Sequence, residues 1–104
     1  TVPISLPQAI LGATIKVPTI SGEVELKIPS GTQAGTVFKL RGMGLPDLRG
    51  YRQGDQLVTV HVETPTKLSK RQKEIIKEFD ELSTHKTYPR YKRFMDKVKS
   101  KLGK

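Results

Sequence analysis

Residues 39–50, KLRGMGLPDLRG, set three basic side chains among glycines, a pattern that could cradle a phosphate. The dinucleotide fingerprint requires G-x-G-x-x-G, so that backbone N–H groups at a helix start approach the pyrophosphate closely. Gly42 and Gly44 fit it, but Asp47 stands at the third position. A P-loop requires a glycine followed by Lys and then Ser or Thr, and no glycine here is followed in that way. The segment therefore reads as a connection between strands, with glycines supplying φ > 0 and Pro46 stiffening the exit. Asp47 and Asp55 flank this loop, where carboxylates serve turns. His61 lies inside a strand pattern between Val60 and Val62, and His85 falls in a polar connector, neither with a second ligand at metal-like spacing. No nucleophile, base and orienting acid come together. No catalytic, cofactor or metal residue is expected, and no enzyme.

The elements that would position any site come from a chain of 104 residues, suited to one modest domain that buries a smaller share of its surface than a larger one. Such a core invites support from an oligomer interface. Cysteine is absent, which removes disulfides and thiolate metal sites, and fits a reducing compartment. No apolar run approaches the roughly 18 residues of a membrane span and no signal-peptide pattern opens the chain, so no membrane partner is expected. The formal charge of +9 is unevenly placed. Residues 1–66 hold six Lys/Arg against five Asp/Glu, whereas residues 67–104 hold thirteen against five. That asymmetry points to an acidic surface as a candidate partner of the second part.

The first part reads as strands. In ATIKVPT and EVELKI apolar residues alternate with polar ones, placing Ile15 and Val17 on one face and Val24, Leu26 and Ile28 on another, with a hairpin turn expected at Ser21-Gly22. TVFKLR and DQLVTVHVE supply two more strands, and TVPISL a short one with Pro3 at an edge or strand start. PQAILG reads as one or two helical turns, with Pro7 in the first and Gly12 just past the end. The second part changes period. Ser69 and Gln72 form a capping box, Ile75, Ile76, Phe79 and Leu82 follow at helical spacing, and after Pro89 so do Tyr91, Phe94, Met95, Val98 and Leu102. The basic residues of this last segment, Lys92, Arg93, Lys97, Lys99 and Lys101, are expected on a solvated face.

Taken together, these features resemble the second C-terminal β-domain and dimerisation helix of the Hsp40 (DnaJ-type) co-chaperones. The matching pieces are QAILG at residues 8–12, VPT at 17–19, IPSGTQAGT at 28–36, RGMGLP at 41–46, the RGY and GDQLV segments, and VETP at 62–65. The similarity runs over about residues 2–82, and the basic aromatic tail resembles more loosely the end of bacterial and organellar members. The family's His-Pro-Asp triplet, which stimulates ATP hydrolysis by the partner Hsp70, is missing, and so are its zinc-binding cysteines.

The resemblance implies a mainly β fold, a small twisted sheet or sandwich with one short helix, over residues 1–66. It implies a dimerisation helix over 67–84 and leaves a basic amphipathic segment over 85–104. It implies a homodimer whose interface is Ile75, Ile76, Phe79 and Leu82, although the stripe could instead pack onto the sheet of its own chain. It implies unfolded client polypeptides as partners, Hsp70 through the full-length protein, no cofactor in this portion, and a cytoplasmic or organellar-matrix location. By analogy with the family's first β-domain, clients would lie against Val2, Val17 and Thr19; the other reading of these residues is that they complete the core. The alternative function is nucleic-acid binding through the basic C-terminal helices, since each phosphate neutralised by Lys or Arg steepens the salt dependence of binding.

Overall fold

The computed structural model describes residues 1–20, 22–40 and 54–102. The described part divides into two compact units, Thr1–Thr66 and Lys67–Lys104. The first contains β1 (Val2–Ser5), α1 (Leu6–Leu11), β2 (Ala13–Thr19), β3 (Gly22–Ile28), β4 (Val37–Leu40) and β5 (Gln56–Glu63); the second contains α2 (Lys70–Leu82) and α3 (Pro89–Leu102). The expected loop over residues 41–50 lies outside the described residues, as does Ser21.

In the first unit β1, β5 and β4 form a three-stranded sheet in that order, and β2 pairs with β3. The β1–β5 pair is parallel, with Val2 opposite Val60 and Ile4 opposite Val62; β4 and β5 are antiparallel, with Phe38 opposite Val58. Period-two alternation decides what each strand buries. Val58 and Val60 of β5, Ile4 of β1, Val17 of β2, and Leu26 and Ile28 of β3 meet Ala9 of α1 in one core drawn from both sheets, with Val2, Ile15, Phe38, Leu40 and Val62 packed at its margin. Pro3 lies on β1, an edge strand, where a missing donor is tolerated.

The hairpin β2–β3 closes one residue earlier than the expected Ser21-Gly22 turn. Thr19 is already paired with Gly22, whose φ is +113°, and Thr19 Oγ1 donates to the Gly22 carbonyl at 2.6 Å. Gly22 thus belongs to the strand, because a glycine can pair there while holding the positive φ that the reversal needs.

Helix α1 is fixed at both ends. Ser5 Oγ accepts from the Gln8 amide at 3.2 Å while Gln8 Oε1 accepts from the Ser5 amide at 2.8 Å, a reciprocal capping box. At the other end Gly12 donates to the Gln8 carbonyl, and the Gly31 and Thr32 amides donate to the carbonyls of Ile10 and Ala9. Gly31 and Thr32 therefore serve as the C-terminal cap of α1. Gly12 adopts φ +87° and ψ 157°, and a Cβ there would stand 3.0 Å from both the Ile28 carbonyl oxygen and the Ser30 amide nitrogen. Only glycine fits both the dihedral and the space.

Candidate functional site: open strand edges and an unburied helix stripe

Two groups of residues are candidates, one in each unit. In the first unit β1 is the edge of its sheet and each strand of the β2–β3 pair has an outer side. On β2 the geometry is set by Pro18, whose carbonyl accepts a 3.1 Å hydrogen bond from Gln56 Nε2 and so faces away from β3. Residues of an antiparallel strand alternate between facing the partner and facing outward. Thr14 and Lys16 therefore face outward with Pro18, while Ile15 and Val17 face the ladder.

This arrangement sorts the three expected client contacts. Val17 is 1% exposed and sits at the centre of the core, so the structure corrects its placement: its side chain has no surface to offer and its backbone is engaged with Val24. Alternation in the sequence marks a face as apolar without saying whether another layer covers it. Val2 and Thr19 are half-buried and keep some accessible surface. The structure brings Val2 and Val17 to the same core, whereas Thr19 lies at the hairpin end. Exposed apolar side chains that the sequence reading did not single out are Ile10 and Leu11 on α1, Ile20 at the hairpin, and Val37 and Leu57 on the outer face of the three-stranded sheet. Their signal was present: Leu57 and Val37 stand out of phase with the buried Val58 and with Phe38.

In the second unit the capping box at the start of α2 forms as the sequence indicates. Ser69 Oγ accepts from the Gln72 amide at 3.1 Å, and Gln72 Oε1 accepts from the Ser69 amide at 2.9 Å. The helix exposes its whole apolar stripe: Ile75, Ile76, Phe79 and Leu82 are 43–76% exposed and no residue of α2 is buried. Four Lys/Arg and four Asp/Glu share the helix. At 3.6 residues per turn, Arg71 and Glu78 border the stripe on one side and Lys73 and Asp80 on the other. Neither border carries a single sign of charge, so a second copy would meet no net repulsion there.

A turn built by threonines separates the helices, with Thr84 N donating to Thr87 Oγ1 at 3.0 Å and Lys86 N to Thr84 Oγ1 at 3.2 Å. An open depression of about 430 Å³ lies there, lined by Asp80, Ser83, Thr84, His85, Tyr88 and Tyr91. Pro89 opens α3, on which Tyr91, Phe94 and Leu102 are exposed while Met95 and Val98 are half-buried. Lys92 Nζ meets Asp96 Oδ2 at 2.8 Å. That hydrogen bond, opposed by desolvation and helped by weaker attraction from Lys92, Lys99 and His85, holds the Asp96 carboxyl below its ordinary value. Among the described residues no three His, Asp or Glu side chains converge as a metal site would require.

A small β-unit with one short helix, followed by a capped helix with a bare apolar stripe, fits the resemblance to the DnaJ-type C-terminal region. The chain belongs to that family: residues 1–65 match the DnaJ C terminal domain, and residues 71–104 match the Chaperone protein DnaJ C-terminal region. It is similar to proteins called Chaperone protein DnaJ, being 52% identical over 99 residues to that of Geobacillus sp. (strain WCH70), covering 94% of this chain and 26% of the relative. It is 49% identical over 102 residues to that of Syntrophotalea carbinolica (98% and 27%) and 53% identical over 100 residues to that of Streptococcus pyogenes (95% and 26%). The chain thus spans about a quarter of the length of these curated relatives.

Proposed function

We propose that this chain is the client-holding and self-associating part of a DnaJ-type co-chaperone, which retains unfolded polypeptide for delivery to an Hsp70 engaged through other parts of the full-length protein. The observation that carries the reading is the α2 stripe, four large apolar side chains left open on a helix whose mixed borders suit a second copy. Pairing two chains would hold one long client at two points and raise its effective concentration at the second. Client segments would lie along the outer sides of β1 and β2, where Thr14 and Lys16 offer main-chain groups and Val2 and Thr19 offer partial side-chain contact. Pro3 and Pro18 remove donors from these edges and limit how far a foreign strand can pair, which suits transient holding. The bacterial relatives support a cytoplasmic setting.

The test is amide chemical-shift mapping on addition of an unfolded polypeptide, with a parallel salt titration of binding to that polypeptide and to RNA. Shifts clustered at residues 2–5 and 14–19, with weak salt dependence, are expected. Shifts confined to α3 and a steep salt dependence favouring RNA would instead support nucleic-acid binding.

A further inference from the structure

We propose that α3 is an interfacial helix that docks on an anionic lipid surface. At 3.6 residues per turn, Phe94, Val98, Tyr91, Leu102 and Met95 fall in that angular order within an arc of about 100°. The arc is largely open, with Tyr91 62%, Phe94 61% and Leu102 82% exposed. What borders it distinguishes α3 from α2. Arg90, Lys97 and Lys101 run along one margin and Lys92 and Lys99 along the other, while Asp96, the single acidic residue of α3, lies on the far side. Six cations against one anion leave the helix at +5, so two copies of this face would repel where two copies of the α2 face would not.

The occupant must therefore be anionic as well as apolar. A nucleic acid supplies phosphates and could stack on Tyr91 or Phe94, but it offers no apolar medium for Leu102, Val98 and Met95. A bilayer interface supplies both. The apolar arc would enter the headgroup and acyl boundary, and the marginal lysines would extend their stems toward lipid phosphates. A helix of 14 residues, about 21 Å long, would lie in the plane of the surface without crossing it. This departs from the expectation of no membrane partner, which rested on the search for a spanning segment.

The 104-residue chain is to be floated with vesicles of phosphatidylcholine alone and of phosphatidylcholine with 30 mol% phosphatidylglycerol, and tested in parallel against oligouridylate RNA. Binding to the anionic vesicles is expected, at least tenfold tighter than to phosphatidylcholine alone. F94S, at a position too exposed to unfold the chain, should weaken vesicle binding about tenfold with unchanged circular dichroism, whereas L57S, an exposed apolar position on the β-unit, should leave it unaltered. The proposal is overturned by absence of flotation, by undiminished binding of F94S, by an equal loss in L57S, or by RNA binding without vesicle binding.

Discussion

Replacing Phe79 with Asp tests the self-association of α2 most directly. Full burial of a large aliphatic or aromatic side chain is worth about 1.5–3 kcal/mol. Scaled by the exposed fractions of Ile75 (46%), Ile76 (47%), Phe79 (43%) and Leu82 (76%), the stripe has about 3–6 kcal/mol left to gain per chain and about 6–13 for a symmetric pair. This is roughly half of what the sequence alone suggests, about 12–24 kcal/mol, because the helix already shields about half of three of these side chains. Association costs about 4–15 kcal/mol, and a dimer half-formed near 100 μM requires a net of about −5.5 kcal/mol. The stripe must therefore be used nearly in full, and the dimer stands close to its limit. A carboxylate in the middle of the contact would have to be desolvated without a partner, at a cost of at least about 2–3 kcal/mol. F79D should weaken dimerisation by at least about a hundredfold and sediment as a folded monomer with unchanged helicity. A wild-type chain that is monomeric at about 100 μM would refute the reasoning, as would an F79D chain that still dimerises there.

Gly12→Ala forces a side chain into a glycine-only dihedral with two backbone atoms at 3.0 Å, and should destabilise the first unit by about 1–3 kcal/mol in urea titration. Ser69→Ala removes the cap of α2 at a cost of about 0.5–2 kcal/mol, visible as lost ellipticity near 222 nm, whereas the same change at a surface position outside a cap should leave it unaltered. Val17→Ser puts a hydroxyl among apolar neighbours, so a lowered unfolding midpoint of the first unit is expected, by about 1–3 kcal/mol; an unchanged midpoint would return Val17 to the surface. The depressed Asp96 carboxyl favours the folded helix above the ordinary carboxylate pKa, and that contribution is lost as pH falls through the lowered value. Lys92→Met should accordingly move the Asp96 midpoint in an NMR titration upward, toward the ordinary carboxylate range.

The strands and helices were legible because their apolar residues repeat at the right period, and the Ser69–Gln72 cap because Ser and Gln stand three apart before an apolar run. The same Ser-x-x-Gln spacing at Ser5 and Gln8 went unread, since a helix of six residues gives too short a periodic signal to direct attention to its start. Partner choice was less legible. Nothing local in VPIS or QLVTVHVE says that they lie side by side and parallel, because that pairing is decided by how two layers and α1 share one core. The assignment of Val17 to a client surface failed for the same reason: its strand pattern fits either an open or a covered face, and only the opposing layer decides. The apolar stripe of α2, by contrast, follows from the composition of one helix, although its exposure does not.

The parallel pairing of Val2 with Val60 means that β1 cannot complete its ladder with β5 until about 58 further residues have followed it. At a translation rate of about 5–20 residues per second the wait is about 3–12 s. Throughout it Ile4 and its neighbours have no β5 to cover them, and closure over so long a loop is slow compared with local pairing such as β2–β3. Until β5 arrives, the growing chain is thus itself an unfolded polypeptide with an unpaired apolar edge.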